Sequence, residues 1–162
     1  MKEIKLETNL TIYDSIDEVD SALHEVLQKA QQARKTAYAP YSEFAVGAAI
    51  ELENGEIVLG SNQENASYPS GLCAERTALY YAGAKFPDVI IKRIAISAGS
   101  INSVNERPIP PCGACRQAIA EYEIKQKQPI EIYFMGEKGK VVKSDSLENL
   151  LPLIFDHSFL EK

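Results

Sequence analysis

The chain has 162 residues, of which 45% are hydrophobic and 25% charged, as expected of one globular domain with a substantial core. No apolar run approaches the roughly 20 residues of a membrane-spanning helix, and the stretch MKEIKLETNL has no apolar signal core, so we expect a cytoplasmic protein without a membrane partner. The net charge of −6 argues against a nucleic acid partner, because an acidic surface repels phosphates.

The first half of the chain predicts an arm, a helix and a β-hairpin. Residues 1–14 are expected to be extended. A capping box of Ser15 and Glu18 opens a helix predicted over residues 16–35. Its apolar stripe consists of Val19, Leu23, Val26, Leu27 and Ala30. The runs FAVGAAIEL and EIVLG flank Asn54-Gly55, a pair that is typical of a hairpin turn.

The second half alternates between helices and strands. A polar loop, SNQENASYPSG, leads into a helix over AERTALYYAGA, and the stretch DVIIKRIAISAG ends in a buried strand. PPCGACRQAIAEYEI is typical of a loop that enters a helix, whereas PIEIYFM and KVVKS are typical of strands joined by the turn GEKG. Ser146 is expected to cap a short last helix that ends at Leu151. This alternation favours one layered α/β domain over residues 1–162.

Three cysteines indicate the chemistry. Their odd number argues against a disulfide framework. Cys112 and Cys115 lie on one face of a predicted helix start, and Cys73 falls at another, where the helix dipole favours thiolate. Three converging thiolates suit zinc and leave its fourth position open, as in catalytic sites. A closed structural zinc site, which would need a fourth ligand, and a redox dithiol, which would leave Cys73 unexplained, are the alternatives.

Glu75 follows Cys73 by two positions. Successive helical residues diverge by about 100°, so both side chains can approach one ion only if Cys73 caps the helix. Glu75 is then expected to be a base beside the open zinc position rather than a fourth ligand. The alternative is an ordinary acidic residue in a first helical turn, which the helix dipole also favours.

A cysteine, a glutamate two residues later and P-C-x-x-C form the pattern of zinc deaminases. Together with YAPYSEFAVGAA, NQENASYPSGLCAERTA, PPCGACRQ and LLPLIF, this pattern resembles the small homotetrameric cytidine deaminases from about Thr36 to Phe155. The resemblance implies a three-layer α/β/α sandwich around a mixed five-stranded sheet, and a homotetramer with one zinc ion per subunit. It implies hydrolytic deamination of cytidine and deoxycytidine with release of ammonia. Water activated by zinc would attack carbon 4 of the ring, and Glu75 would act as base and then as acid.

The resemblance also implies roles around the substrate. Arg76 would donate to the thiolates, and the residues expected to bind substrate are Phe44, Asn62, Glu64, Ala66, Tyr68 and Phe155. Phe44 would pack on the pyrimidine, the ENASY segment would hold the ribose, and Phe155 would enter the pocket of a neighbouring subunit. A carboxylate at Glu64 repels phosphate, which favours a free nucleoside as the small-molecule partner.

Each of these roles has an ordinary alternative in the sequence. Arg76 would otherwise be an exposed helical arginine, Asn62 and Glu64 polar loop residues, and Phe44 and Phe155 packing residues of their own chain. For the whole protein, the alternatives are deamination of another aminopyrimidine and a zinc-stabilised binding or assembly protein without activity. The complete ENASY segment and Phe44 argue against the first, and the intact Glu75 argues against the second.

Overall fold

A single mixed sheet lies at the centre of the computed structural model, which describes residues 1–160. Its six strands are β1 (Thr11–Tyr13), β2 (Phe44–Leu52), β3 (Ile57–Ser61), β4 (Ile91–Ser100), β5 (Glu131–Met135) and β6 (Val141–Ser144). They are ordered β1-β6-β5-β4-β2-β3. β4 and β5 are parallel, and the other neighbours are antiparallel. The last two residues of the predicted domain lie outside the described part of the chain.

Three helices cover the two faces of this sheet: α1 (Ser21–Arg34), α2 (Ala74–Lys85) and α3 (Gly113–Gln126). Leu27 of α1 belongs to one apolar cluster with Ala49, whereas Leu79 of α2 and Ile119 of α3 belong to another with Ile50. Ala49 and Ile50 enter different clusters because successive strand residues point to opposite faces. The resulting α/β/α sandwich confirms the predicted fold class. None of the helices within residues 1–160 is long and apolar enough to span a membrane.

The sheet has one strand more than predicted. Part of the N-terminal arm forms β1, in which Ile12 lies opposite Val142 of β6. The hydroxyl of Thr8 also donates to the carbonyl of Asn149 at 3.0 Å. The prediction of five strands is wrong because the free backbone groups of β6 provide partners for the arm. A pairing of only three residues leaves little periodicity in the sequence.

The first helix begins later than predicted. The predicted capping box of Ser15 and Glu18 is wrong, because Ser15 Oγ accepts from the Asp17 amide and Glu18 Oε2 accepts from the Asp14 amide. These bonds stabilise only a 3-10 turn over Ile16–Glu18. α1 itself starts at Ser21, because Asp20 accepts from the Leu23 amide at 2.9 Å and is the true N-cap. The predicted apolar stripe is buried from Leu23 onward.

The predicted last helix, from Ser146 to Leu151, is wrong. The amides of Leu150 and Leu151 both donate to the Leu147 carbonyl, and this single turn does not continue. The Leu147 amide donates to Glu123 Oε2 in α3 at 2.8 Å, so the segment is tied to its neighbour rather than capped as a helix. Pro152 follows and has no amide with which to extend the turn.

The hairpin that precedes the predicted site is confirmed. β2 and β3 pair antiparallel, and Gly55 occupies the turn at a φ of 86°. Gly60 in β3 permits a close approach of α2, since a Cβ there would lie 2.5 Å from the carbonyl oxygen of Ala74. The first turn of α2 therefore packs directly on the sheet. This close packing sets how far the neighbouring residues Cys73 and Glu75 lie from the sheet.

Candidate metal and active site

Two helix starts bring the three cysteines together. Cys73 is the N-cap of α2 and Cys112 is the N-cap of α3, whereas Cys115 is buried in the first turn of α3. The three sulfur atoms lie within 4.8 Å of one another, and those of Cys73 and Cys112 are 3.8 Å apart. Tetrahedral zinc with Zn–S bonds of about 2.3 Å implies sulfur separations of about 3.8 Å. The cluster therefore fits the geometry and the chemistry of a zinc site.

Hydrogen bonds between the cysteines shift the pKa values of Cys73 and Cys115 in opposite directions. Hydrogen bonding from the Cys115 thiol, assisted by Arg76, lowers the pKa of Cys73 to about 5 against the opposing effect of burial. The pKa of Cys115 is raised, because its thiol is hydrogen-bonded to Cys73 and buried. Hydrogen bonds from its neighbours thus favour the thiolate form of Cys73 over that of Cys115. A divalent cation would replace the shared protons, since metal-ligating thiols are deprotonated.

Arg76 lies beside the thiols. Its Nη2 donates to Cys73 Sγ at 3.5 Å, and this bond contributes most to raising the pKa of the guanidinium. Its Nε is buried and has no hydrogen-bond partner among residues 1–160. Three thiolates and a divalent zinc ion sum to one negative charge, which a partly buried guanidinium can offset.

Glu75 lies in the first turn of α2 and is only 4% exposed. Burial raises the pKa of this carboxyl, and hydrogen bonds from its own amide and from the Cys115 thiol oppose that effect. Within the described part of the chain, the group of potential metal ligands consists of the three cysteines and does not include Glu75. A buried carboxyl with a raised pKa next to a cluster of potential metal ligands is suited to proton transfer.

An open groove of about 420 Å³ adjoins the cysteine cluster. Asn62, Glu64 and Tyr68 line it together with Cys73 and Arg76, so the structure brings these predicted residues together.

The Glu64 carboxylate accepts from the amides of Tyr41 and Ser42 at 3.0 and 3.2 Å, and also from the Ser42 hydroxyl. The bond from that hydroxyl is the main cause of a pKa below the usual range for Glu64. Glu64 is therefore ionised at neutral pH.

Asn62 is buried, and its side chain joins the loop to β2. Its Oδ1 accepts from the Val46 amide at 2.8 Å, and its Nδ2 donates to the Phe44 carbonyl at 2.9 Å. Phe44 is half-buried at the start of β2, and Ala66 is exposed in the loop. Neither Phe44 nor Ala66 is among the described residues that line the groove.

Phe155 lies away from the groove of its own chain. The residue is 59% exposed, and its ring stacks on that of Phe159, with 5.8 Å between the ring centroids. Its backbone carbonyl accepts a hydrogen bond from Gln117 of α3 at 2.9 Å. The structure therefore brings Phe155 close to α3 but not to the other predicted substrate residues.

Two residues that support the groove were missed by sequence reasoning. Tyr41 and Ser42 hold the Glu64 carboxylate, and Ser42 Oγ also accepts from the Phe44 amide at 3.1 Å. A weak signal exists in the sequence, because a serine just before a strand commonly bonds to nearby backbone groups. Nothing local in YAPYSEF indicates that a glutamate more than twenty positions later completes this arrangement.

Comparisons with known proteins identify the family of this chain. A family model for the cytidine and deoxycytidylate deaminase zinc-binding region matches residues 20–128. A cytidine deaminase from Sporosarcina psychrophila is 37% identical over 135 residues, covering 82% of this chain and 90% of the relative. A cytidine deaminase from Halalkalibacterium halodurans is 46% identical over 96 residues, covering 59% of this chain and 68% of the relative.

A solved structure extends the likeness to the fold. The crystal structure of cytidine deaminase from Burkholderia pseudomallei is 39% identical, with a TM-score of 0.70, and covers 82% of this chain and 98% of that one. The family model and these relatives thus define the class of the protein: a deaminase of a family described by its zinc-binding region. The chain belongs to the cytidine deaminase family of hydrolases.

Proposed function

We propose that this enzyme hydrolytically deaminates free cytidine and deoxycytidine, with one zinc ion per subunit. The observation that carries the proposal is the set of three cysteine sulfurs within 4.8 Å, next to the buried Glu75. The pyrimidine substrate is suggested by the names of the relatives, which are cytidine deaminases.

The metal would be held by Cys73, Cys112 and Cys115, because three thiolates leave one tetrahedral position open. When bound, zinc supplies a water of lowered pKa at that position. Arg76 offsets the excess negative charge through its bond to Cys73 Sγ at 3.5 Å.

Glu75 transfers the protons of the reaction. It accepts a proton from the attacking water and delivers it to ring nitrogen 3 as oxygen adds to carbon 4. It then takes the proton of the hydroxyl added at carbon 4 and passes it to the amino group, so that the carbon–nitrogen bond breaks, the carbon 4 carbonyl forms and ammonia leaves. Burial suits both roles, since a raised pKa lets one carboxyl act first as base and then as acid.

The groove would hold the nucleoside. Glu64, Asn62, Tyr68 and the backbone of Ala66 bind the ribose, and Phe44 packs on the pyrimidine. Three protein donors already fix the Glu64 carboxylate as an anion, which can accept from sugar hydroxyls and repels a phosphate. A free nucleoside is therefore favoured over a nucleotide.

A neighbouring subunit would complete the pocket within a homotetramer. Phe155 is the residue proposed to cross the interface, since its ring is exposed and does not line the groove of its own chain. Covering an open groove with an aromatic ring would exclude water from the reacting atoms.

Zinc content and substrate turnover, measured on one preparation, test the proposal. We expect about one zinc ion per chain and a loss of ultraviolet absorbance on adding cytidine or deoxycytidine, with release of an equal amount of ammonia. Zinc without turnover of any nucleoside would indicate a binding or assembly protein. Turnover only of another aminopyrimidine nucleoside would indicate a different substrate class.

A further inference from the structure

Cys112 is the least constrained of the three cysteines. Cys115 is buried within α3, and the carbonyl of Cys73 accepts from the Thr77 hydroxyl at 3.1 Å. Cys112 is exposed, and a Cβ at the following Gly113 would meet nothing within 4 Å. The orientation of Cys112 must therefore be fixed by contacts other than its own packing.

Arg116 supplies such contacts on both sides of Cys112. Its Nε donates to the Pro111 carbonyl at 2.8 Å, and its backbone amide donates to the Cys112 carbonyl at 2.9 Å. The peptide between Pro111 and Cys112 is planar, so holding the carbonyl oxygen also orients the amide of Cys112. Pro111 is buried and its φ is restricted by its ring, which leaves few alternative conformations for this junction.

The other end of the guanidinium is anchored in the C-terminal segment. Arg116 Nη1 donates to the Leu150 carbonyl at 2.8 Å. The turn that presents this carbonyl is itself tied to α3, because the Leu147 amide donates to Glu123 Oε2 at 2.8 Å. The planar guanidinium thus spans two backbone carbonyls, which the single ammonium of a lysine cannot reproduce with the same geometry.

We propose that Arg116 is a positioning residue for the metal: it holds Cys112 in the orientation that binds zinc and thereby slows zinc release. This inference rests on the proposed zinc site. Arg116 touches neither the sulfurs nor the groove in the described contacts, so its effect is exerted through the backbone on either side of Cys112. Residues that orient metal ligands typically change metal affinity by about 10- to 100-fold.

The test measures zinc release directly rather than activity. Zinc-loaded wild-type protein, Arg116→Lys and Arg116→Gln are mixed with excess chromogenic chelator, and the release rate is followed by absorbance. We expect release about 10- to 100-fold faster from Arg116→Gln, and an intermediate rate from Arg116→Lys, whose single ammonium can reach only one of the two carbonyls.

Two control variants separate positioning from general destabilisation. Gln117→Ala removes the neighbouring bond to the Phe155 carbonyl without touching Pro111. Val26→Ala opens a cavity in the cluster on the opposite face of the sheet. Both should release zinc at the wild-type rate, although Val26→Ala lowers the midpoint of thermal unfolding.

Each outcome bears on a different claim. Wild-type protein that binds no zinc would overturn the proposed function, and this inference with it. Stable zinc binding by the wild type, with unchanged release from both Arg116 variants, would overturn the inference alone. Equal acceleration in Val26→Ala, or failure of both Arg116 variants to fold, would assign Arg116 a purely structural role and overturn it too.

Discussion

Replacing Glu75 by glutamine tests the proposed division of labour at the cysteine site. The side chain is 4% exposed, and glutamine keeps its shape while removing its capacity to exchange a proton. One positioned acid–base group contributes roughly 10²- to 10⁴-fold to a rate. Glu75 is proposed to serve several transfers, so we expect kcat to fall by about 10⁴-fold, equivalent to about 5.5 kcal/mol of activation free energy. Zinc content should stay near one ion per chain.

The assay combines the initial rate of absorbance loss at saturating cytidine with metal analysis of the same sample. Cys112→Ala is the informative comparison, because it removes a ligand and should lose zinc as well as activity. Circular dichroism of both variants establishes that they fold. A metal-free Glu75→Gln protein would identify Glu75 as a ligand, and near-normal turnover would remove it from the mechanism.

Three further predictions concern the substrate, the assembly and the first helix. Cytidine and deoxycytidine should have values of kcat/KM at least 100-fold above those of cytidine monophosphate or single-stranded DNA, because the Glu64 carboxylate repels the phosphate. Comparable values for the monophosphate would contradict the proposed ribose site. Reassembly of Glu75→Gln subunits with Phe155→Ala subunits should raise activity above that of either parent, since some pockets regain both groups; no rise in confirmed mixed oligomers would place Phe155 outside the neighbouring pocket. Asp20→Ala should lower the free energy of unfolding, measured in urea, by about 1 kcal/mol, because it removes the N-cap of α1. Ser15→Ala is the control and should have a smaller effect. An equal effect of both substitutions would refute the assigned helix start.

The cysteine cluster was predictable because local sequence patterns indicate both of the helix starts that carry the cysteines. Pro111 and the spacing of Cys112 and Cys115 indicate a helix start, and placing Cys73 at a second helix start required only the apolar pattern of α2. In the structure Cys73 is the N-cap of α2, as predicted, and Cys112 and Cys115 lie at the start of α3. The meeting of the two helix N-termini at one point depends on the tertiary structure. It was inferred from the chemistry of three unpaired thiols.

The supporting contacts were not predictable in the same way. The bonds of Ser42 to Glu64 and of Arg116 to Leu150 join distant parts of the chain, and neither leaves a periodic pattern. The start of α1 was missed because two candidate caps, Ser15 and Asp20, lie close together, and the first buried residue of the helix, Leu23, follows the second.

The short strand β1 also has a consequence for self-association. Without it, β6 would be the outermost strand and would present free backbone groups beside the buried Val141 and Val142. Such an edge is a template for pairing with other chains and for aggregation. β1 is only three residues long and ends next to Asp14, whose carboxylate pairs with Lys140 at 3.1 Å. Pairing with the arm thus leaves a shorter exposed edge, flanked by an ion pair, which offers fewer free backbone groups to another chain.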